Sequence, residues 1–249
     1  MLTDNIRNFL KEHYREIPVK EARIGLGYTG VLLEDGNAGV AYTFKGKHSD
    51  GCAMFTGKRP LAGKSSHKLL DYLGSPETAE SAVGVATANA LVNRERGIGV
   101  EGDVLDILKI KENDRVGMVG FFGPLVPLLK KMVRELLIFE QITSRAEGLF
   151  PAEKAPEVLP SCDIALITST SLINGTLDSL LEASRKCREI VLLGASTLLL
   201  PEIFQLLGVT LLSGVIITDP PGILQIISEG GGMRFFKNHI KKINIRLTC

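Results

Sequence analysis

The sequence is poor in the residues that most often bind metals or cross-link a chain. It contains no tryptophan, four histidines and four cysteines, at positions 52, 162, 187 and 249, without a Cys-x-x-Cys pair. Disulfide-rich domains carry regularly spaced cysteines, so this spacing indicates reduced thiols and excludes a disulfide framework. Cys162 and Cys187 are expected to pack beside the core of the second half.

Neither sign of charge dominates. Lys and Arg number 29 against 28 for Asp and Glu, which gives no electrostatic footprint for nucleic acid or for an acidic membrane. The most apolar region, 190–218, is broken by Gly194, Pro201 and Gly208 into pieces too short for a bilayer span. The N-terminal segment carries charges throughout and resembles neither a secretory signal nor a membrane anchor. We therefore expect a cytoplasmic protein with no nucleic-acid partner and no membrane insertion.

The first half reads as a small α+β unit. Residues 3–15 have helical apolar periodicity. Two strand-like runs, 22–33 and 39–44, are joined by residues 34–37, whose Asp-Gly pair predicts a hairpin. A further helix, from about 77 to 93, consists mostly of small residues and so permits close packing against a neighbour.

Three polar residues of this half are candidates for ligand binding. Tyr28 and Thr29 lie on the first strand, where their hydroxyl groups would project toward a pocket, although both residue types are also simply favoured in strands. Glu77 stands in the first turn of the small-residue helix, where the helix dipole alone favours a carboxylate. For all three, a structural and a functional interpretation remain open.

A glycine-rich stretch, 47–59, holds the candidate protein ligands for a metal. His48, Asp50 and Cys52 alternate along it, which in an extended segment places all three on one side. Imidazole, carboxylate and thiolate are a suitable set for a soft or borderline metal. No second cluster supplies a fourth ligand, so chance placement in a loop is the alternative.

From Gly97 onward the pattern changes, which predicts domains at 1–96 and 97–249. Apolar strands now alternate with helices, as expected for a parallel sheet covered on both faces. In such sheets, ligands bind beyond the carboxyl ends of the strands. The strands are predicted at 116–119, 136–140, 164–168, 190–193 and 211–218.

The first of these strands runs into a glycine turn. Gly117, Gly120 and Gly123 lie in the stretch RVGMVGFFGP, residues 115–124, just before a predicted helix. A glycine turn at a helix start exposes backbone N–H groups to an anionic ligand. The spacing is G-x-x-G-x-x-G, so the match to the dinucleotide-binding fingerprint is partial. Close packing of the helix on the strand would explain the glycines equally well.

Hydroxyl and amide side chains predominate just past the strand ends. Glu140 follows Gly117 by 23 residues, about where an acidic residue would hold a ribose in a nucleotide-binding domain. The most distinctive stretch is 168–176, whose hydroxyl groups would line an anion site, unless Thr176 only caps the helix that begins at Leu177. The candidate ligand-binding residues of this half are Gly120, Phe122, Gly123, Glu140, Thr168, Ser169, Thr170, Asn174, Ser196 and Thr197.

Six segments in order resemble one family. They are GYTGV (27–31), ETAESAVGVATANALVN (77–93), VGMVGFFGPLVP (116–127), LPSCDIALITSTSLINGT (159–176), LLGASTLLLPEIF (192–204) and GVTLLSGVIITD (208–219). Together they are similar to the "putative heavy-metal chelation" proteins, formerly a domain of unknown function. The resemblance implies an enolase N-terminal-like α+β domain, a Rossmann-like α/β domain and a ligand site in the cleft between them.

The expected function is therefore binding of a small molecule or metal in that cleft. The ligand is expected to be a small anion or a metal chelate, in keeping with heavy-metal chelation or chelator metabolism. An enzyme with a nucleotide-type cofactor, Glu140 holding the ribose, is one alternative, and a scaffold without a ligand is another. Whether the chain catalyses a reaction or forms a homo-oligomer stays open at this point.

Overall fold

The structure is a computed structural model that describes residues 1–44, 55–94, 97, 99–141 and 148–247. It is a mixed α/β fold with a three-stranded antiparallel sheet and a larger sheet of eight strands that is mostly parallel. We call residues 1–44 and 55–94 the N-terminal unit, and residues 99–141 and 148–247 the C-terminal unit. None of the helices in these described ranges is both long and apolar enough to cross a membrane.

The N-terminal unit contains three helices and three strands. The elements are α1 (Leu2–His13), β1 (Val19–Ile24), β2 (Tyr28–Leu33), β3 (Ala38–Tyr42), α2 (Ser66–Leu70) and α3 (Thr78–Val92). The hairpin predicted at Asp35-Gly36 is confirmed, and it joins β2 to β3. The prediction of one strand over 22–33 is wrong, because the chain turns between β1 and β2, which pair antiparallel with each other.

Helix α3 lies directly on the small sheet. A Cβ at Gly39 of β3 would stand 2.2 Å from the carbonyl oxygen of Ala86 and 2.2 Å from the backbone nitrogen of Ala90. Only a glycine permits this approach. The small residues that the sequence places on α3 are therefore explained by packing, and the helix is buried around nearly its whole circumference.

The C-terminal unit alternates strands and helices as predicted, and its described residues form three strands more than the five predicted. The strands are β4 (Val100–Glu101), β5 (Arg115–Val119), β6 (Glu135–Glu140), β7 (Leu149–Pro151), β8 (Ile164–Thr168), β9 (Glu189–Leu193), β10 (Leu211–Ile217) and β11 (Ile240–Arg246). The helices are α4 (Val104–Ile107), α5 (Val126–Met132), α6 (Ala155–Val158), α7 (Leu177–Ala183), α8 (Pro201–Phe204), α9 (Pro220–Ser228) and α10 (Met233–Phe236).

The strand order of the large sheet fixes where loops meet. It is β4-β11-β10-β9-β8-β5-β6-β7, with β4 and β11 antiparallel to their neighbours and the other six strands parallel. The chain winds outward from β5 to β7 in one direction, then from β8 to β10 in the other. This is the order of doubly wound sheets, and its switch point lies between β5 and β8.

Packing accounts for the first glycine of the turn and for the two described cysteines. A Cβ at Gly117 would stand 2.6 Å from a methyl carbon of Leu159 and 3.2 Å from the Sγ of Cys162. Cys162 and Cys187 are buried free thiols beside the main core, as the sequence predicted. Gly117 is therefore a position where the connection before β8 crosses close to β5.

The two units share an interface formed by α9 and by the end of α3. A Cβ at Gly30 of β2 would stand 2.7 Å from the Cδ1 of Ile227 on α9. At the end of α3, the buried Asn93 amide donates to the carbonyl oxygens of Thr197 and Val215 over 2.9 and 3.0 Å. The small sheet is thereby held over the carboxyl edge of the large one. The domain division at residue 97 itself stays a prediction.

Candidate functional site

A cavity of about 680 Å³ lies at the switch point of the large sheet. Its floor is the carboxyl ends of β5, β6 and β8, and its other wall is the end of β3, which contributes Tyr42 and Phe44. The volume falls within the range of small-molecule sites, about 300 to 1,000 Å³. Both units therefore line a single concave space.

Six of the residues predicted from the sequence meet in this cavity. They are Gly120, Phe122, Glu140, Thr168, Thr170 and Asn174. They come from the loops after three different strands, and parallel pairing brings those loops to the same edge. Whether a ligand contacts them stays a prediction.

Gly120 shapes the floor of the cavity. Its φ of +90° lies in the left-handed region, and a Cβ there would stand 2.9 Å from the Cβ of Thr168. Its N–H donates to the carbonyl oxygen of Phe139 over 2.8 Å. A side chain at this position would be both strained and crowded, so the turn requires glycine.

The Glu140 carboxylate binds backbone N–H groups in the glycine turn after β5 and at the end of β6. Its Oε2 accepts the backbone N–H of Phe121 over 2.7 Å, and its Oε1 accepts the N–H of Gln141 over 2.8 Å. Hydrogen bonds from backbone N–H groups to a carboxylate are charge-assisted and strong. Glu140 thus ties the loop after β5 to the end of β6.

Hydroxyl and amide groups line the side of the cavity that follows β8. The hydroxyl oxygens of Thr168 and Thr170 lie 3.0 Å apart, and Thr168 caps the turn that begins there. Asn174 accepts with Oδ1 from the N–H of Thr176 over 3.2 Å and from its hydroxyl over 2.8 Å. These contacts hold the loop in one conformation and present polar groups to the cavity.

Aromatic rings face the cavity from both units. Tyr42 and Phe44 pack edge to face, with ring centroids 5.1 Å apart and an interplanar angle of 88°. On the opposite side, Phe121 and Phe122 follow β5, and Phe139 lies in β6. Aromatic faces of this kind bind flat or apolar parts of a ligand.

The remaining predicted residues lie outside the cavity wall because they serve the fold. Thr29 is buried and its hydroxyl lies 2.9 Å from that of Thr43. The buried hydroxyls of Ser169 and Thr197 lie 2.7 Å apart, and Ser196 accepts the N–H of Tyr42.

Three more predicted residues also point elsewhere. Tyr28 packs edge to face on Phe236 in an apolar cluster, and burial, with Tyr42 beside it, raises the pKa of Tyr28 above its usual range. Glu77 is exposed at the N-cap position of α3 and lines no part of the cavity. Gly123 lies past the turn, where a Cβ would only touch the Phe121 ring.

Sequence reasoning missed several wall residues. Phe44, Phe121, Glu153 and Ser179 line the cavity. Tyr42, Gln141 and Thr176 line it too, and the sequence places them on the paired strand, after the second parallel strand and in the 168–176 stretch. Position directly after a strand could have pointed to Phe121, as it did to Gln141. Ser179 and Glu153 carry no such signal, since tertiary packing alone brings their segments to the cavity.

The charged groups in the described part of the cavity wall are carboxylates. Glu140 is half-buried and Glu153 is exposed, and the described part of the wall contains no Lys, Arg or His. In the described ranges, no three His, Cys, Asp or Glu side chains stand close enough to hold a metal ion. The predicted ligands His48, Asp50 and Cys52 lie outside the described residues.

Comparison with known proteins identifies relatives along nearly the whole chain. The chain is 25% identical over 247 residues to an uncharacterized protein of Methanocaldococcus jannaschii, covering 96% of this chain and 94% of that one. It is similar to the crystal structure of a protein with unknown function from the DUF364 family of Pyrococcus horikoshii, with a TM-score of 0.87 and 25% identity over 99% of this chain and all of the other.

A second solved structure and two family models agree with this. A DUF364 protein of unknown function from Desulfitobacterium hafniense is similar with a TM-score of 0.81 and 27% identity, over 98% of this chain and 96% of the other. One family model matches residues 7–92 and another, DUF364, matches residues 103–246, both under the description "Putative heavy-metal chelation". The chain therefore belongs to the DUF364 family, whose description is "Putative heavy-metal chelation".

Proposed function

We propose that the protein binds a metal complex of a small organic chelator in the cavity between its two units. The observation that carries the proposal is the make-up of the wall, which combines aromatic faces, a row of hydroxyl groups and two carboxylates around about 680 Å³. This volume suits a small molecule, whereas a lone cation would fill little of it.

Each part of the wall has a role in this proposal. Tyr42 and Phe44 pack against the organic part of the chelator, and the hydroxyl groups of Thr168 and Thr170 hydrogen-bond to its polar atoms. The Glu140 carboxylate provides a negative potential beside the metal. Between the two ligand classes expected from the sequence, these charges favour the metal chelate over a free anion. The family description points to the same class.

We also propose that the protein is cytoplasmic and that the chain divides into domains at residue 97. The Asn93 amide, with its three hydrogen bonds to the C-terminal unit, supports a cavity that exists before the ligand arrives. A preformed site loses less conformational entropy on binding.

The test is a thermal-shift and calorimetric titration with metal complexes. The one-to-one nickel(II) complex of bipyridine, a cation that carries one flat organic ligand, is the probe, and free bipyridine and free nickel(II) are its controls. A ligand at about 100 times its Kd stabilises the native state by about 2.7 kcal/mol, or roughly 5 to 10 °C in Tm for a chain of this size. NAD, adenosylmethionine and ATP test the rival nucleotide cofactor in the same assay.

Two tryptophan substitutions on α7 locate the binding site. Ser179 lines the cavity, whereas Glu182 is exposed on the same helix and does not. Ser179→Trp should fill the cavity and abolish the shift, and Glu182→Trp should leave it unchanged. Equal binding by both variants, or a shift with a nucleotide and none with the chelate, would contradict the proposal.

A further inference from the structure

The position of the Glu140 carboxylate has a consequence for which ligands can bind. In a dinucleotide-binding sheet, the glycine turn after the first parallel strand offers its N–H groups to a phosphate, and an acidic residue after the second strand holds the ribose. In this chain the two features are bonded to each other. Glu140 at the end of β6 accepts the N–H of Phe121 over 2.7 Å, in the turn after β5.

The second carboxylate oxygen is also engaged. Glu140 accepts the N–H of Gln141 over 2.8 Å with the oxygen that does not bind Phe121. Both oxygens are thus held by the backbone, so the carboxylate has a fixed place at the floor of the cavity. A phosphate brought to this turn would meet a carboxylate where it needs a free N–H donor.

The rest of the described wall does not offset this charge. Glu153 adds a second carboxylate, and the described lining contains no Lys, Arg or His. An anionic ligand group about 4 Å from a carboxylate at a surface site is repelled strongly enough to lower its affinity about tenfold or more. The described part of the lining therefore favours a cationic over an anionic group beside Glu140.

We infer that Glu140 is the residue that selects the ligand by charge. It admits neutral or cationic metal chelates and excludes both anionic chelates and phosphate-bearing cofactors. The inference rests on the proposed function, because it concerns the same cavity, and it names the class of chelate that the cavity takes.

The experiment compares two nickel(II) complexes of opposite charge. The bipyridine complex is cationic and the EDTA complex is anionic, and both are titrated calorimetrically at low ionic strength, where charge effects are least screened. The wild-type protein should bind the cationic complex at least about tenfold more tightly than the anionic one. ADP and inorganic phosphate should not bind.

Glu140→Gln removes the charge and keeps the size of the side chain and an oxygen acceptor. The preference of this variant for the cationic complex should fall about tenfold. The reason is that its affinity for the cationic bipyridine complex drops while its affinity for the anionic EDTA complex rises. A general loss of structure would weaken both complexes together, so the ratio of the two affinities separates selection from a merely structural role.

Two further variants serve as controls. Glu157→Gln removes an exposed carboxylate outside the cavity, paired with Lys154, and should leave the ratio unchanged. Glu153→Gln removes the exposed carboxylate of the rim and should change the ratio less than Glu140→Gln, since solvent screens it. An equal or larger effect of Glu153→Gln would overturn the assignment to Glu140.

The outcomes separate this inference from the proposed function. If the wild-type protein binds the anionic complex as tightly as the cationic one, or binds ADP, the charge selection is wrong while chelate binding stands. If it binds neither nickel complex, the proposed function is wrong and the inference is overturned with it.

Discussion

The backbone N–H of Tyr42 donates to the Oγ of Ser196 over 2.9 Å. Tyr42 ends β3 in the N-terminal unit, and Ser196 lies in the loop after β9 in the C-terminal unit. Ser196 is 2% exposed. A part-buried hydrogen bond therefore ties one wall of the cavity to the sheet that forms its floor.

Ser196→Ala should destabilise the protein by about 1 kcal/mol, because it leaves the part-buried N–H of Tyr42 without its acceptor. The free energy of unfolding, measured by urea denaturation, checks this. Ser179→Ala is the matched control, since Ser179 is exposed and its Oγ donates to the carbonyl oxygen of Thr176, three residues earlier in the chain. A loss no larger than that of the control would contradict the role assigned to Ser196.

Asn93 should contribute more than Ser196 to holding the units together. Its Nδ2 donates to Thr197 and Val215, its Oδ1 accepts the N–H of Leu199 over 2.9 Å, and the side chain is buried. Asn93→Leu should cost about 3 kcal/mol or more, because several buried polar groups lose their partners at once. Hydrogen exchange should increase first at Leu199, whose N–H the amide protects.

The exposed Asn238 provides the control for Asn93. Asn238→Leu should change the free energy of unfolding by less than about 0.5 kcal/mol, as expected for a surface position. If Asn93→Leu unfolds at the same urea concentration as the wild-type protein, the hydrogen bonds of the Asn93 amide do not stabilise the interface between the two units.

Gly120→Ala tests whether the cavity floor requires glycine. The substitution adds a Cβ at a φ of +90° and 2.9 Å from the Cβ of Thr168. Gly175→Ala separates the two costs, because Gly175 has a φ of +75° and open space where a Cβ would stand. Gly175→Ala should cost about 1 kcal/mol from backbone strain alone.

Gly120→Ala should cost at least about 1 kcal/mol more than Gly175→Ala, because overpacking adds to the strain. It should also weaken chelate binding, since relief of the contact moves Thr168 away from its place in the wall. Denaturation and the nickel bipyridine titration measure the two effects. Equal losses of unfolding free energy in the two variants would contradict this prediction. They would show that the Thr168 side chain moves away from the added Cβ without a loss of stability.

Cys187 should make stability fall at alkaline pH. Burial raises the pKa of its thiol to about 12 from the usual 9.0. Above about pH 9 the unfolded state loses this proton while the folded state keeps it, so rising pH favours unfolding. The expected decline is up to about 1.4 kcal/mol per pH unit from this one group.

The effect of Cys187 is measured by comparing how steeply the unfolding free energies of the wild-type protein and of Cys187→Ala depend on pH. Cys187→Ala lowers stability at every pH because it leaves a cavity, so the measured quantity is the dependence of the unfolding free energy on pH between 8 and about 10.5. The wild-type curve should fall more steeply than the variant curve. Parallel curves would mean that the folded and unfolded thiols titrate alike.

The local patterns of the sequence predicted most of the elements. Alternation of apolar strands with helices after Gly97 indicated the large sheet, and the Asp35-Gly36 pair indicated the hairpin, because both signals act between neighbours in the chain. The break at Gly25 was missed. A Cβ there would stand 2.3 Å from the carbonyl oxygen of Ile227, a constraint imposed by a helix some 200 residues later.

The candidate site divided in the same way. Residues directly after the ends of β5, β6 and β8 could be predicted, since their place follows from a rule about parallel sheets. Ser169, Ser196 and Thr197 follow strands too, yet their hydroxyls face buried partners instead of the cavity. Position along the chain does not say toward which side such a hydroxyl turns.

By itself, the sequence determined most of the strands and helices, the turn at Gly120 and the family to which the chain belongs, because these depend on local periodicity, backbone freedom and similarity along the chain. Only the tertiary structure decided that Tyr42 and Phe44 face that turn. It also decided that the Glu140 carboxylate accepts the hydrogen bond of the Phe121 N–H group within the turn. Those relationships join side chains that lie far apart in sequence, and they are set by how α9 and Asn93 seat the small sheet on the large one.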